Sequence, residues 1–304
     1  MINKLLVVGT MAYDAIETPF DKVNKILGGS TTYTALAASK FEIDCGVVSV
    51  VGDDFEKKNL NLLKNNSINC DGVKIVKNAK TFFWSGKYHL NMNDRTTIET
   101  QVNVLANFNP IIPKYYLNSK VAVIGNLDPN IQLESLNQIK NSADFILLDT
   151  MNFWIDKNRD VLNEVIGKVN LISVNDEEAK LLTNTNSLLK AASLIQKMGP
   201  QYVIIKKGEH GSMLFGEGKN FIIPAYPIFN VVDPTGAGDS FAGGVSGFLC
   251  DKKKINFDLI KQAMLYGSVL ASFTVESLGI DSLEKVTKNT LNKRLNDFKS
   301  ITSF

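Results

Sequence analysis

The sequence predicts an open, doubly wound α/β sheet, mainly parallel and flanked by helices, with a small β lid. Three observations predict it. Short apolar runs are mostly continuous rather than alternating, helical patterns separate them, and two stretches fit neither pattern. Strands buried on both faces of a parallel sheet read as unbroken apolar runs, because neither side of the pleat meets water. Alternation with helices then points to crossover connections and a sheet covered on both sides.

The elements follow in chain order. "KLLVVG" (4–9) is the first strand. "MAYDAIETPFDKVNKILGG" (11–29) is rich in β-branched and aromatic residues but has no helical period. It is read as strands standing off the main sheet, and a long surface loop is the alternative. "CGVVSVVG" (45–52) returns to the sheet, and "KTFFWSGKYHLNMNDRTTIETQVNVL" (80–105) repeats the features of 11–29. The strands "KVAVIGN" (120–126), "DFILLD" (144–149), "NLISVN" (170–175) and "YVIIKKG" (202–208) complete the parallel set. Leu188, Ala192, Ile195 and Gly199 recur at helical spacing, as do Ile260, Met264, Gly267 and Ala271. No linker or internal repeat divides residues 1–304, so the expectation is one α/β domain with a lid from about 11–29 and 80–105.

Composition bounds the function. With 304 residues, 44% hydrophobic and 21% charged, the chain is long enough for a sizeable core. Lys+Arg 33 against Asp+Glu 31 leaves +2, and runs such as "DKKKINFD" are short, so no nucleic-acid partner is expected. The apolar run in "MINKLLVVGT" is too short for a secretory leader, and no segment approaches a membrane span. Cys45, Cys70 and Cys250 show no CxxC spacing and read as reduced thiols of a cytoplasmic protein.

The richest stretch is "DPTGAGDSFAGG" (233–244), with four glycines and two aspartates. Val231 and Val232 read as a short β-rich piece before it. Phe241, Val245 and Phe248 set a helical period that starts near Ala237. Gly236 and Gly238 let first-turn N–H groups approach a ligand, and a helix start leaves such groups free with partial positive charge. That is an anion site of the phosphate-binding kind. Gly243 and Gly244 read as close-packing positions against the sheet. Asp239 would face the anion. It is either an ordinary first-turn acid, gaining ~0.3–1 kcal/mol from the helix dipole, or a general base beside a phosphoryl acceptor.

"DPTGAGDSFAGG" resembles the C-terminal signature of the PfkB, or ribokinase-like, carbohydrate kinases, a family that includes adenosine and other nucleoside kinases. "LGGSTTYTALAASKF" (27–41), "VNDEEAKLL" (174–182) and "VIIKKGEHGS" (203–212) resemble its glycine-pair, Asn-x-x-Glu and nucleotide-proximal segments, in the same order. The resemblance implies a ribokinase-like fold and an ATP- and Mg²⁺-dependent phosphotransferase acting on the primary hydroxyl of a sugar, or alternatively of a nucleoside. A catalytically silent sugar or nucleotide sensor is the reading from another class. The resemblance makes Asp239 the base, with Gly236, Ala237 and Gly238 as the anion hole. Asn175 and Glu178 would organise Mg²⁺ and phosphates, Glu178 through metal-bound water; read alone, "NDEE" is equally a helix cap. Lys206, Gly208, Gly211 and Ser268 would lie near the nucleotide. Asp233, Thr235, Gly279 and Ser282 fall where relatives hold a monovalent cation such as K⁺.

On the acceptor side the resemblance implies Asp14, the pair Gly28 and Gly29, and Asn126 and Asp128. Trp84, Tyr88, Phe153 and Trp154 are the aromatic candidates for stacking on a base, Trp84 lying on the lid segment "TFFWSGKY". The chain departs from ribokinases, which have Lys and Asn where it has Ser30 and Tyr33, and that puts ribose specificity in doubt. A homodimer through the lid is the expected assembly, since exposed strand edges favour pairing. No G-x-x-x-x-G-K-[ST] loop or G-x-G-x-x-G after a strand occurs, and His89 and His210 are too few for a histidine zinc site.

Overall fold

The computed structural model describes residues 4–139 and 142–303. The strands are β1 (Lys4–Val8), β2 (Ala12–Glu17), β3 (Lys22–Gly28), β4 (Asp44–Gly52), β5 (Ile68–Val76), β6 (Phe82–Tyr88) and β7 (Arg95–Gln101). β8 (Val121–Ile124), β9 (Phe145–Asp149), β10 (Leu171–Asn175), β11 (Tyr202–Lys206), β12 (Ser212–Gly216) and β13 (Lys219–Ile223) follow. The helices are α1 (Ser30–Ala38), α2 (Lys57–Asn65), α3 (Pro129–Ile139), α4 (Asn152–Lys157), α5 (Arg159–Ile166) and α6 (Asp176–Thr183). α7 (Leu188–Lys197), α8 (Ala237–Leu249), α9 (Phe257–Thr274), α10 (Asp281–Glu284) and α11 (Lys288–Thr302) complete the set. Among the described residues, no helix is long and apolar enough to cross a membrane.

Nine strands form the main sheet in the order β13-β12-β11-β10-β9-β8-β1-β4-β5. All neighbours from β11 to β5 are parallel, as the unbroken apolar runs require. β1 shows the two-sided burial directly. Leu5 and Val7 join a core with Leu36, Val245 and Leu270, whereas Leu6 and Val8 join another with Leu136, Leu162 and Ile195. Alternate residues point to opposite faces, so both faces are covered by helices. The antiparallel edge β12–β13 turns through Glu217 and Gly218, both at positive φ (51° and 70°), which suits a two-residue hairpin.

The two off-pattern stretches are strands. β3-β2-β6-β7 form a separate four-stranded sheet, so the loop alternative falls away. Two local expectations are corrected. Val231 and Val232 form no strand; the N–H of Val232 bonds the Val275 carbonyl after α9 instead. Gly199 lies beyond the end of α7 at φ 141°, a turn position rather than a helical one.

Because the central strands are parallel, their carboxyl ends lie along one edge. Asp149, Asn175 and Lys206 therefore end adjacent strands. Open α/β sheets place ligands at that edge.

Candidate active site

The geometry begins with α8. It starts at Ala237 and carries no side-chain cap. Its N-cap, Gly236, sits at φ 77°, and a Cβ there would meet the Tyr33 ring at 2.5 Å. The Ala237 N–H is used by the turn, bonding the Pro234 carbonyl at 3.2 Å. The N–H groups of Gly236, Gly238 and Asp239 have no backbone partner among the described residues. The glycines further along α8 pack against helices rather than the sheet, which corrects the expectation for Gly243 and Gly244. A Cβ on Gly243 would lie 2.3 Å from the Thr34 carbonyl of α1, and one on Gly244 would lie 2.8 Å from Gly267 of α9. Close approach of three helices thus fixes the direction of the α8 axis and its open end.

Charged side chains converge on that end. Lys206 Nζ pairs with Asp149 Oδ1 at 3.3 Å, and a Cβ on Gly238 would lie 3.1 Å from the same Nζ. Burial works against the Lys206 charge, but Asp149, Glu178 and Asp239 around it raise its pKa above the ordinary value. Asp239 moves the other way from a surface carboxylate. Burial and the Asp149 charge push it up to about 7, against the pull of Lys206 and Arg95. Glu178 is also raised to about 7, chiefly by burial. The environment therefore poises Asp239 near neutrality, the range in which a general base works at neutral pH.

Asn175 and Glu178 form a reciprocal capping box on α6, with both bonds at 2.7 Å. The cap reading of "NDEE" holds, and the same bonds fix the Glu178 carboxylate at the strand edge near Lys206. Gly208, at φ 53°, opens a one-turn 3₁₀ segment after β11. Gly211 closes it at φ 83°, where a Cβ would lie 2.0 Å from the Ile223 carbonyl. Ser268 lies on α9 next to Gly267.

The small sheet brings Asp14, Trp84 and Gly28 together. Asp14 on β2 is paired with Trp84 on β6 and with Ile26 on β3, so the three stand side by side across the sheet. Asp14 is buried, and a Cβ on Gly28 would lie 1.9 Å from its Oδ2. Gly29, at φ 96°, turns the chain into α1. Burial, then the charges of Asp233 and Asp239, push the Asp14 carboxyl up to about 8. Asn126 and Asp128 are already engaged. Asn126 Oδ1 accepts from Trp154 Nε1 at 3.0 Å, and Asp128 Oδ1 accepts from the Asn130 N–H at 2.8 Å at the start of α3.

The buried Asp233 carboxylate accepts the N–H groups of Thr235 (2.9 Å) and Gly279 (3.1 Å). It thereby ties the loop before α8 to the one after α9. Ser282 lies in the first turn of α10, its N–H bonded to Ser277 Oγ. Two residues of this edge are not singled out by the sequence pattern. Asp149 ends "DFILLD", and a carboxylate closing an apolar strand was the available signal. Arg95 sits in a polar hairpin with nothing local to mark it.

The Asp14 carboxyl bears on stability. An unfolded carboxyl ionises near 4, whereas folded Asp14 keeps its proton up to about 8. Between those values unfolding releases a proton, so stability falls as pH rises. Asp14→Asn is expected to melt above wild type at pH 8, with the gap closing toward pH 4. Equal melting temperatures across that range would show that Asp14 is not held in a charge-hostile environment.

The comparisons with known proteins fit this architecture. The model of the pfkB family carbohydrate kinases matches residues 2–286. The chain belongs to that family. Cytidine kinase of Thermococcus kodakarensis is 31% identical over 243 residues, covering 79% of this chain and 86% of the relative. A putative ribokinase II from E. coli, solved in complex with ATP and Mg²⁺, superposes with a TM-score of 0.80 at 18% identity, covering 97% of this chain and 100% of that one. Burkholderia thailandensis nucleoside kinase in complex with inosine superposes at 0.78 with 21% identity, covering 97% and 99%. A pfkB-family kinase is thus a sugar or nucleoside kinase by kinship, and its sheet edge is where the residues above meet.

Proposed function

We propose that this chain transfers the γ-phosphoryl group of ATP to a primary hydroxyl of a nucleoside, with Asp239 as general base. The observation that carries the proposal is the position of Asp239. It sits on the first turn of an uncapped helix, beside the Lys206–Asp149 pair and within electrostatic reach of Asp14. In the reaction the acceptor oxygen forms a bond to the γ-phosphorus and its proton passes to Asp239. The bond from that phosphorus to the β-bridging oxygen breaks, and its electron pair leaves with ADP. The open N–H groups of Gly236 and Gly238, with Lys206 beside them, stabilise the charge on the transferring oxygens.

Among the described residues, no three His, Cys, Asp or Glu converge into a metal cage. Mg²⁺ is commonly held by nucleotide phosphates, waters and one or two carboxylates, and Glu178 and Asp149 are the carboxylates proposed for it here. Mg²⁺ supplies charge neutralisation on the phosphates when bound. Asp233, Thr235, Gly279 and Ser282 are proposed as a K⁺ site, with Asp233 as its one carboxylate. The four-stranded sheet is proposed as the lid that excludes water from the reacting groups. Its outer strands β3 and β7 each have a neighbour on one side only among the described residues, which leaves their outer edges available for a homodimer.

Sequence reasoning puts a sugar first and a nucleoside second. The register of the small sheet supports the reverse order. Trp84 stands beside Asp14, which suits a ribosyl hydroxyl next to a stacked base. Asn126 and Asp128, the polar groups expected to recognise a sugar, are bonded elsewhere. Kinship with a cytidine kinase supports the same order. A panel assay with ATP and Mg²⁺ over nucleosides and free sugars tests it. Trp84→Ala is expected to raise nucleoside KM about tenfold, since base stacking is worth ~1–3 kcal/mol. Asp14→Ala should impair every acceptor. Phosphorylation of free sugars alone, with Trp84→Ala silent, would return the sugar to first place.

A further inference from the structure

We infer that Arg95 is a further catalytic residue, delivered by the β6–β7 hairpin, whose guanidinium binds the phosphoryl group as it passes from nucleotide to acceptor. The inference rests on the kinase reading above.

The register supplies the first argument. Arg95 stands directly opposite Tyr88 in the antiparallel β6–β7 pair. Directly opposed residues project from the same face of a sheet. Tyr88 is buried, and its hydroxyl meets Thr235 Oγ1 at 3.1 Å, immediately before Gly236. The Arg95 side chain is therefore sent to the cleft side of the lid. The second argument is the placement of the hairpin tip. Asn93 Nδ2 donates to Glu209 Oε1 at 3.1 Å, and a Cβ on Gly208 would lie 2.6 Å from Asn93 Oδ1. The hairpin thus touches the turn before α8 through Tyr88 and the turn after β11 through Asn93. Arg95 stands level with the Tyr88 contact and two residues from the Asn93 contact, on the part of the hairpin that faces both turns.

Its charge is felt there. Arg95 lowers the pKa values of Asp239, Glu178 and Tyr88 against the burial that raises all three. The other two arginines bond protein carbonyls and carboxylates. The side chain of the exposed Arg95 has no hydrogen bond or ion pair among the described residues, so its planar donor fork is free for a ligand. Lys206 is anchored on the main sheet, whereas Arg95 is carried by the hairpin of the small sheet. Its arrival would make full charge stabilisation conditional on lid closure.

The test is Arg95→Ala and Arg95→Lys in the acceptor panel. For Arg95→Ala, kcat is expected to fall about a hundredfold or more, as for other donors to a transferring phosphoryl group. Acceptor KM should stay within about threefold, because the contact forms as charge moves. Arg95→Lys should recover part of the loss, and free guanidinium should partly rescue Arg95→Ala. A binding readout accompanies the kinetics. ADP, Mg²⁺, aluminium fluoride and acceptor should raise the melting temperature beyond ADP and Mg²⁺ alone in wild type, and that increment should vanish in Arg95→Ala. Wild-type kcat in Arg95→Ala, a loss confined to KM, or an equal fluoride increment in both proteins overturns the inference and leaves the kinase reading standing. A wild-type chain that phosphorylates nothing in the panel overturns both.

Discussion

Asp239→Asn is expected to reduce kcat by ~10²–10⁴ while ATP binding is kept, because the substitution preserves shape and removes the proton acceptor. The pH profile of the wild type carries the same argument. A base must be ionised, and Asp239 is raised to about 7 by burial and by Asp149. Activity should therefore rise with pH through about 7 rather than through the ordinary carboxylate range near 4. Lys206 pulls the Asp239 value down. Lys206→Met should accordingly move the rising limb to higher pH, apart from its direct effect on phosphate binding. Initial rates from pH 5 to 9 on wild type and both variants decide the matter. Near-normal turnover in Asp239→Asn would reduce Asp239 to a helix-start acid.

Gly236→Ala is expected to cost about a hundredfold in kcat without unfolding the protein. A methyl group at this position meets the Tyr33 ring at 2.5 Å, and φ of 77° disfavours any side chain. Neither neighbour can yield cheaply. Tyr33 is fully buried on α1, and α1 is locked to α8 by the contact of Gly243 with Thr34. The turn must shift instead, carrying the N–H groups of Gly236 and Gly238 with it. A displacement of about 1 Å in a positioning group can cost ~10²-fold in rate. Kinetics with saturating acceptor, together with a melting curve, separate this from collapse of the fold. A variant with normal kcat would mean that these N–H groups do not hold the transferring phosphoryl group.

The signals legible in the sequence were local ones. Continuous apolar runs marked β1, β4 and β8 to β11, because burial on both faces is written into every residue of such a strand. The start of α8 at Ala237 was legible from the glycines before it and the Phe241, Val245, Phe248 period after it. Strand β5 was not, because it lies at the sheet edge and carries exposed Asp71, Lys74 and Ile75. The β12–β13 hairpin was missed for lack of a strong turn signal at Glu217-Gly218. Val231 and Val232 misled in the other direction, since β-branched residues also serve extended loops.

By itself, the sequence determined the doubly wound sheet, the open helix start around Asp239 and the pfkB kinship, because each rests on residues adjacent in the chain. Tertiary structure decided the rest. The pairing of Lys206 with Asp149, the placing of Asp14 beside Trp84 and the contact of Tyr88 with Thr235 join residues dozens of positions apart. The pKa values of Asp14 and Asp239 are of the same kind, since burial and neighbouring charge exist only once the sheets and helices have packed. Those contacts are set by strand register and helix approach, and neither is encoded in any single stretch of the chain.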